Sequence, residues 1–332
     1  MGSPTARRYT VHDRVDVTVE SRSTELLGHV CACLGSLQPS DKPSDQSGDG
    51  ASALPHIRLS FEVGCAERIG AYEPTRPLWS VEDLGIFYHR YPDRLVTGYA
   101  ADVLVEYDTV HRRGRAFLSG VHDAYYATTL GLTPVLDWEL KAASLHSLHG
   151  AAVDDRGRGL LLLAPSGVGK STTAVSLARS GFRLLHDDVV WFSDEDHTPR
   201  LFRVPSPVRL RGETLEALNI GREDARPSGR DSRGKDVFYP GGLPGTMSVP
   251  SSVCAAICFL ERDGKEITEF REAGKLEAFQ RLTEQSFVTT DPLYAKESLR
   301  ALIGLFEAVP RYVVSLGTDL GTLEPTFRRI LE

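Results

Sequence analysis

The residues best suited to chemistry stand in one short stretch, where a glycine-rich turn ends in a lysine and two hydroxyl residues. The apolar run 160–163 leads into Ala-Pro-Ser-Gly-Val-Gly-Lys-Ser over 164–171, and residues 172–179 are typical of a helix. Glycines let successive backbone N–H groups point into one concavity, and the N-terminus of the following helix adds the positive end of its dipole. The sequence therefore predicts a strand, a phosphate-binding loop and a helix.

Each residue type in this loop suggests a role. We expect Lys170 to reach the β- and γ-phosphates of a nucleotide as a point charge, and the Ser171 hydroxyl to ligate Mg²⁺. The strict Walker A pattern opens with glycine where this chain has Ala164, a mild change that leaves both later glycines in place. An ordinary glycine-rich turn is disfavoured, because the flanking strand and helix supply the context of the motif. The expected nucleotide contacts are Ser166, Gly167, Val168, Gly169, Lys170, Ser171 and Thr172.

Two adjacent aspartates follow Lys170 by 17 and 18 residues. They end the predicted strand over 182–185, and such a strand, loop, helix and strand would return both carboxylates beside the loop. Phosphoryl transfer requires bound Mg²⁺, charge neutralisation and a nucleophile relieved of its proton. We assign Asp187 as general base toward an acceptor hydroxyl and Asp188 as a ligand of Mg²⁺, directly or through water. The alternative is that the pair only solvates a turn.

Periodicity predicts the elements that position these residues. Residues 132–148 predict a helix that leads to His149, and 151–153 and 159–164 predict two strands around a turn. The remaining elements predicted in this half are strands over 189–192, 201–204 and 253–260, helices over 276–285 and 298–308, and an edge or closing strand over 312–316.

Further cationic and histidine side chains are weaker candidates. The charged loop 221–235 is predicted to be a mobile lid that supplies transition-state charge from Arg226, Arg230, Arg233 or, preferably, Lys235. Arg209 and Arg211 alternate along a predicted strand, where they face either an anion or solvent. His146 and His149 stand three residues apart and on a helix would flank one metal, although a pair without further ligands is usually incidental.

The first 130 residues offer no chemistry that can be named. Alternating patterns predict strands over 15–20 and 56–62 and a helix over 24–34. Four further strands, over 85–89, 94–99, 102–107 and 115–119, have the spacing and turn residues of an antiparallel sheet. Residues 38–55 are rich in Ser, Asp, Pro and Gly and predict a disordered loop. We therefore predict an N-terminal α+β domain over 1–130 and a catalytic domain over 131–332.

Composition narrows the class of protein. The 332 residues are 41% hydrophobic, which is ordinary for a globular chain. With 38 basic and 45 acidic residues, the net charge of −7 gives no global attraction to nucleic acid or an anionic membrane, and neither is expected as a partner. The five cysteines lack zinc or redox spacing and are expected to be reduced. No signal-type or membrane-spanning apolar run occurs, so the expected location is the cytoplasm.

Three segments taken in order, His149-Gly150, 164–172 and 180–188, resemble the core of HPr kinase/phosphorylase and of HPr-kinase-like enzymes of peptide natural-product pathways, including lasso-peptide kinases. The resemblance implies an α/β fold with a P-loop core of the PEP carboxykinase/HPr kinase-like type, a mixed sheet with helices, behind an N-terminal α+β domain. It implies ATP or GTP with Mg²⁺ as cofactors, and catalytic roles for Asp187, His149 and Lys170, with Ser171 and Asp188 at the metal. The glycine-rich signature that follows the acid pair in the bifunctional enzyme is not recognisable here.

The leading hypothesis is thus an ATP-dependent phosphotransferase with an alcohol group as acceptor, either a serine of a peptide or protein or a small-molecule alcohol. The alternatives are a P-loop NTPase switch or hydrolase with water as nucleophile, and a non-catalytic nucleotide-binding scaffold. A GTPase switch is disfavoured because neither Asp-x-x-Gly after the second strand nor Asn-Lys-x-Asp occurs. Homo-oligomeric assembly is left open.

Overall fold

The computed structural model describes residues 4–34, 38–39, 54–70, 79–81, 86–99, 102–120, 125–195, 198–221, 223–231, 234–239, 241–286 and 293–332. Most of the predicted disordered loop therefore lies outside the described residues. Within the described part of the chain, no helix combines the length and apolar character needed to cross a membrane. The chain forms two compact units, the first consisting of Met1–Ala143, Pro205–Pro207 and Ser228–Asp231, and the second of Ser144–Val204, Val208–Pro227 and Ser232–Glu332.

The first unit is built on one mixed sheet. Its elements up to residue 142 are β1 (Thr5–Val11), β2 (Val15–Ser21), α1 (Thr24–Leu34), β3 (Gln38–Pro39), β4 (His56–Val63), α2 (Ala66–Gly70), β5 (Trp79–Val81), β6 (Ile86–Arg90), β7 (Arg94–Tyr99), β8 (Val103–Asp108), β9 (Arg113–Leu118), a π-helical segment (Tyr125–Leu132) and α3 (Thr133–Ala142). The strand order is β3-β1-β2-β4-β9-β8-β7-β6-β5.

The predicted antiparallel sheet over residues 85–119 is confirmed, and it continues into parallel pairs that the patterns did not predict. Strand β4 pairs in parallel with both β2 and β9, while the β6–β9 meander is antiparallel as predicted. Parallel neighbours need a crossover connection, and α1 lies in the connection between β2 and β4. Alternation along a strand shows which side chains are buried, and it carries no information on the direction of a distant partner.

From residue 146 onward the elements are β10 (His146–His149), β11 (Ala151–Asp155), β12 (Arg158–Leu163), α4 (Lys170–Arg179), β13 (Arg183–His186), β14 (Val189–Glu195), β15 (Thr198–Phe202), β16 (Val208–Leu210), α5 (Gly212–Ala217), β17 (Gly229–Arg230), β18 (Asp236–Phe238), β19 (Met247–Ser248), β20 (Ser251–Glu261), β21 (Glu269–Glu272), α6 (Lys275–Ser286), α7 (Ala295–Ala308), β22 (Arg311–Ser315) and α8 (Leu323–Ile330). The main sheet of the second unit has the order β10-β14-β15-β20-β12-β11-β13-β19, and β22 joins it on β20.

Two predicted elements of this unit need correction. The helix predicted over 132–148 ends at Ala142, because Ser144 adopts a positive φ of 62° and the chain then enters strand β10. The strand predicted over 312–316 as an edge or closing strand is β22, which lies between β20 and β21 and is therefore not an edge strand. Local periodicity did not separate a buried strand from the end of a helix.

The main sheet is covered by apolar side chains on both faces. Along β12, Leu160 and Leu162 pack in one core with residues of α4 and α8, while Leu161 and Leu163 pack in the other core with residues of α6 and α7. Successive side chains of a strand point to opposite faces, so a strand buried on both sides is a continuous apolar run. This burial fixes the end of β12, from which the glycine-rich turn departs.

Candidate active site

The turn between β12 and α4, residues 164–169, is called the glycine loop below. Gly167 and Gly169 have φ angles of +87° and +124°, which side chains on L-residues disfavour. Helix α4 begins at Lys170, two residues earlier than predicted. The first-turn N–H groups of a helix have no acceptor within the helix, so the loop leads directly into a group of donors suited to an anion.

Lys170 is buried against this loop, with 7% of its surface exposed. Its Nζ donates to the carbonyl of Ala164 at 2.5 Å and to that of Pro165 at 3.4 Å. Burial lowers the pKa of the ammonium group, and the charges of Asp188 and Lys235 act on it in opposite directions. The lysine, the acid pair and Lys235 therefore belong to one electrostatic cluster.

Asp187 follows β13 and is almost fully buried, with 3% exposed. The nearby Ser171 hydroxyl acts to lower the pKa of this carboxylate, while Oδ1 has no hydrogen-bond partner among the described residues. Burial and then the charge of Asp188 raise the pKa of Asp187 to about 6. A buried carboxylate oxygen without a partner is rare in proteins, and it marks a place where a ligand can complete the site.

Strand direction explains why this carboxylate reaches the loop. Strand β11 is antiparallel to both β12 and β13, so β12 and β13 run in the same direction and end at the same edge of the sheet. The glycine loop leaves β12 at that edge, and Asp187 comes directly after β13. The predicted return of the acid pair to the loop is thus what the topology produces.

His186 shapes the turn that carries the two aspartates. Its ring is 2% exposed, and its Nδ1 accepts the backbone N–H groups of Asp188 at 3.2 Å and Val189 at 3.3 Å. Nδ1 is therefore an acceptor, and its distance of 3.9 Å to Oδ1 of Asp187 is not a hydrogen bond. Sequence reasoning gave His186 no role, although a histidine next to an acid pair was a usable signal.

Asp188 is the more open of the two acids, with a third of its side chain exposed. Its Oδ2 pairs with Arg209 of β16, and its Oδ1 lies 3.4 Å from Nδ1 of His149. Burial acts to raise the pKa of Asp188, but the charges of Arg209 and His149 outweigh it and hold that pKa below its usual range. Burial also lowers the pKa of His149, against the opposing effect of Asp188.

The structure brings together most of the residues predicted from the sequence. Lys170, Ser171, Asp187, Asp188 and His149 share this cluster through the contacts given above. His149 reaches it because β10 pairs with β14, where His149 lies opposite Val189 and the N–H of Gly150 donates to the carbonyl of Asp188 at 3.0 Å.

Only some of the other predicted cationic residues lie at this cluster. Arg209 joins the cluster, whereas Arg211 is exposed before α5, so the two do not share a strand face. Lys235 lies within electrostatic reach of both aspartates. Of the other predicted lid residues, Arg226 and Arg230 are exposed and Arg233 lies outside the described residues.

The histidine pair does not form a metal site. Strand β10 places His146 and His149 on opposite faces, so the hypothesis that both flank one metal is wrong; His146 Nδ1 lies 2.9 Å from Ser298 Oγ instead.

Arg262, which follows β20, donates from Nε to the carbonyl of Val168 at 2.7 Å. No motif in the sequence pointed to Arg262.

The fold and the site define the second unit as a mixed α/β structure with a lysine, a serine and two aspartates gathered at one edge of its sheet. Residues 140–209 match the family model of the HPr Serine kinase C-terminal domain. The superfamily resemblance inferred from the motifs is thereby confirmed for this segment.

Curated HPr kinase/phosphorylases are similar to this chain over part of their length. The chain is 38% identical over 96 residues to HPr kinase/phosphorylase of Lactobacillus acidophilus, which covers 28% of this chain and 29% of the relative. It is 48% identical over 83 residues to HPr kinase/phosphorylase of Bacillus pumilus and 42% identical over 83 residues to that of Geobacillus thermodenitrificans, each match covering 25% of this chain and 26% of the relative. The chain therefore spans less than a third of the length of these relatives.

Proposed function

We propose that this chain is a kinase of the HPr-kinase-like type, which binds ATP with Mg²⁺ and transfers the γ-phosphoryl group to a hydroxyl. The observation that carries the proposal is the placement of the buried Asp187 beside the glycine loop, where its carboxylate interacts with Ser171 and its charge acts on Lys170. A nucleotide-binding scaffold needs the loop alone. The buried, partly unpaired carboxylate costs stability, and chemistry at that position accounts for it.

In this proposal the glycine loop is the P-loop. The N–H groups of residues 166–172 bind the phosphates, and Lys170 exchanges its contacts with the Ala164 and Pro165 carbonyls for phosphate oxygens. GTP would satisfy the same contacts, since nothing in them depends on the base.

The residues present fit a magnesium ion. Ser171, Asp188 and Oδ1 of Asp187, which has no hydrogen-bond partner within the described part of the chain, supply oxygen ligands, which a hard divalent cation prefers. Within the described residues no group of three His, Cys, Asp or Glu side chains forms a complete metal site. Magnesium usually takes one or two carboxylates and completes its shell with water and substrate phosphate, so Ser171 and Asp188 would hold it. When bound, the ion neutralises charge on the phosphates.

Asp187 then acts as the general base. As the acceptor oxygen bonds to the γ-phosphorus, the bond from that phosphorus to the β–γ bridging oxygen breaks, ADP leaves and the acceptor proton passes to Asp187. A pKa of about 6 keeps this carboxylate ionised at neutral pH and more basic than an ordinary aspartate. His149 and Arg209 hold Asp188 in place on the other side of the pair.

We propose a serine hydroxyl of a peptide or protein as acceptor, with a small-molecule alcohol as the alternative. The relatives' name, HPr kinase/phosphorylase, refers to a protein substrate of those enzymes. A peptide of a natural-product pathway remains the narrower proposal for this chain. The five cysteines are free thiols, which suits a reducing, ATP-rich compartment such as the cytoplasm.

The test is transfer of labelled phosphate from ATP to serine peptides and alcohols by the wild type, Asp187→Asn and Lys170→Ala. Loss of a general base should lower transfer by about 10²–10⁴-fold while ATP affinity stays within a few fold. Lys170→Ala should weaken ATP binding itself, measured by calorimetry. If Asp187→Asn transfers at the wild-type rate, the base assignment is wrong. If the wild type hydrolyses ATP and labels no acceptor, the kinase proposal is wrong and the chain is a P-loop NTPase switch or hydrolase.

A further inference from the structure

Arg262 lies at the edge of the sheet from which the glycine loop leaves. Strand β20 is the parallel neighbour of β12, with Phe259 opposite Leu163, and Arg262 follows the last residue of β20. In open α/β sheets, ligands bind outside the carboxyl ends of the parallel strands. The residue after β20 is therefore placed beside the same ligand as the loop after β12.

The side chain of Arg262 contacts the loop where its backbone is most constrained. Its Nε donates to the Val168 carbonyl at 2.7 Å. A Cβ built on Gly169 would lie 3.1 Å from Nη2 of the same guanidinium, so the group passes closely along residues 168–169. Fixing a carbonyl on one side of a glycine-rich turn constrains the peptide planes whose N–H groups are to face the phosphates.

The charge of Arg262 has no carboxylate partner among the described residues. The two nearest acids in sequence are engaged elsewhere, since Asp263 lies 3.4 Å from Lys265 Nζ and Glu261 pairs with Arg281 at 2.6 Å. A guanidinium carries five N–H donors, and the Val168 carbonyl takes only the one on Nε. The exposed Nη groups therefore keep their ability to bind phosphate oxygens, for which the planar fork is well suited.

We propose that Arg262 is a phosphate-binding residue of this site, which contacts the polyphosphate of a nucleoside di- or triphosphate while it holds the glycine loop through Val168. The proposal rests on the proposed nucleotide function. It adds the guanidinium of Arg262 to Lys170 as a second positive charge beside the loop.

The experiment measures ATP, ADP and adenosine binding by calorimetry for the wild type, Arg262→Ala, Arg262→Lys and the control Lys265→Ala. Lys265 is an exposed cation three residues further on, paired with Glu269 at 2.6 Å. We expect Arg262→Ala to weaken ATP and ADP binding about tenfold, within the range of a charge-assisted contact. Arg262→Lys should lose part of that affinity, because an ammonium lacks the planar fork by which a guanidinium donates to the carbonyl from Nε and to the phosphate from Nη. Adenosine binding and the melting temperature without ligand should not change.

The possible results distinguish a failure of the Arg262 proposal from a failure of the proposed nucleotide function. If the wild type binds ATP and Arg262→Ala binds it equally well, Arg262 has no role in phosphate binding. If Arg262→Ala weakens adenosine as much as ATP, or lowers the melting temperature of the unliganded protein, the residue is only a structural support and the proposal is overturned. If the wild type binds neither ATP nor ADP, the proposed function fails and this inference fails with it. An equal loss in Lys265→Ala would show that general surface charge, and not Arg262, attracts the nucleotide.

Discussion

At the scale of single residues, the acid pair shows how environment separates two identical side chains. Asp187 is buried beside Ser171 and its pKa is raised, whereas Asp188 lies between Arg209 and His149 and its pKa is lowered. A raised pKa suits proton transfer, and a carboxylate that stays ionised suits a cation. The pair can therefore divide the two roles that phosphoryl transfer needs.

The raised pKa of Asp187 predicts a cost in folding stability that depends on pH. The folded-state pKa of about 6 lies above the ordinary value of 3.8, so the folded form is favoured below pH 3.8 and loses stability as pH rises through 6. In the absence of nucleotide and divalent cations, Asp187→Asn should be more stable than wild type at pH 8, by up to about 3 kcal/mol, and nearly equal at pH 4. Urea unfolding across this range measures the difference.

The control for this prediction is Asp224→Asn, at an exposed aspartate of the same unit. It should leave the pH dependence of unfolding as in the wild type. A constant difference between Asp187→Asn and wild type from pH 4 to pH 8 would contradict the raised pKa.

At the scale of elements, the site depends on one loop between a strand and a helix. Strand β12 is fixed by two cores, and α4 starts as soon as Gly169 has turned the chain. Both glycines with positive φ stand where a side chain would strain the backbone, and Gly169 also lies against Arg262. The shape of the loop therefore depends on glycine at both positions.

A comparison of Gly169→Ala with Gly157→Ala should distinguish the effect of loop shape on ATP binding from the effect of backbone strain on stability. Gly157 has a similar φ of +92° in the β11–β12 turn, with open space around its Cβ position. Each substitution should cost about 1–2 kcal/mol of unfolding free energy from backbone strain. Only Gly169→Ala should weaken ATP binding, by at least about tenfold, as measured by calorimetry. Equal ATP affinities in the two variants would show that the loop conformation is unimportant for binding.

At the scale of the whole molecule, the second unit supports its site from both faces of the sheet. Phe327 of α8 is fully buried in the core that also contains Ala174 and Val175 of α4. Phe279 of α6 is 39% exposed and contacts Phe306 edge to face. The helix that begins at the glycine loop thus packs in the same core as α8.

Phe327→Ala should destabilise the protein without removing its ligand response. A large cavity in a closed core costs about 3–5 kcal/mol, and the partly exposed Phe279→Ala should cost clearly less. Because ATP binds only the folded state, it should still raise the melting temperature of Phe327→Ala, whereas Lys170→Ala should show a reduced shift. Calorimetric melting with and without ATP and Mg²⁺ tests both statements. Similar melting temperatures for the two phenylalanine variants would contradict the burial of Phe327.

The sequence by itself determined the parts of this protein that depend on near neighbours. The glycine loop, the acid pair and most strands and helices follow from turn residues and from side-chain period, because local backbone preference and one-sided burial are visible within about ten residues. The resemblance to HPr kinases rests on the same compact motifs, and the comparison over residues 140–209 confirms it.

Only the tertiary structure decided which distant segments meet. The parallel pairing of β4, the strand formed by His146–His149, and the contacts of Arg209 with Asp188 and of Arg262 with Val168 join segments that local patterns do not connect. Their physical reason is the same in each case: strand pairing and the burial of both sheet faces select partners by the free energy of the whole fold, and the charges that reach the site follow from that selection.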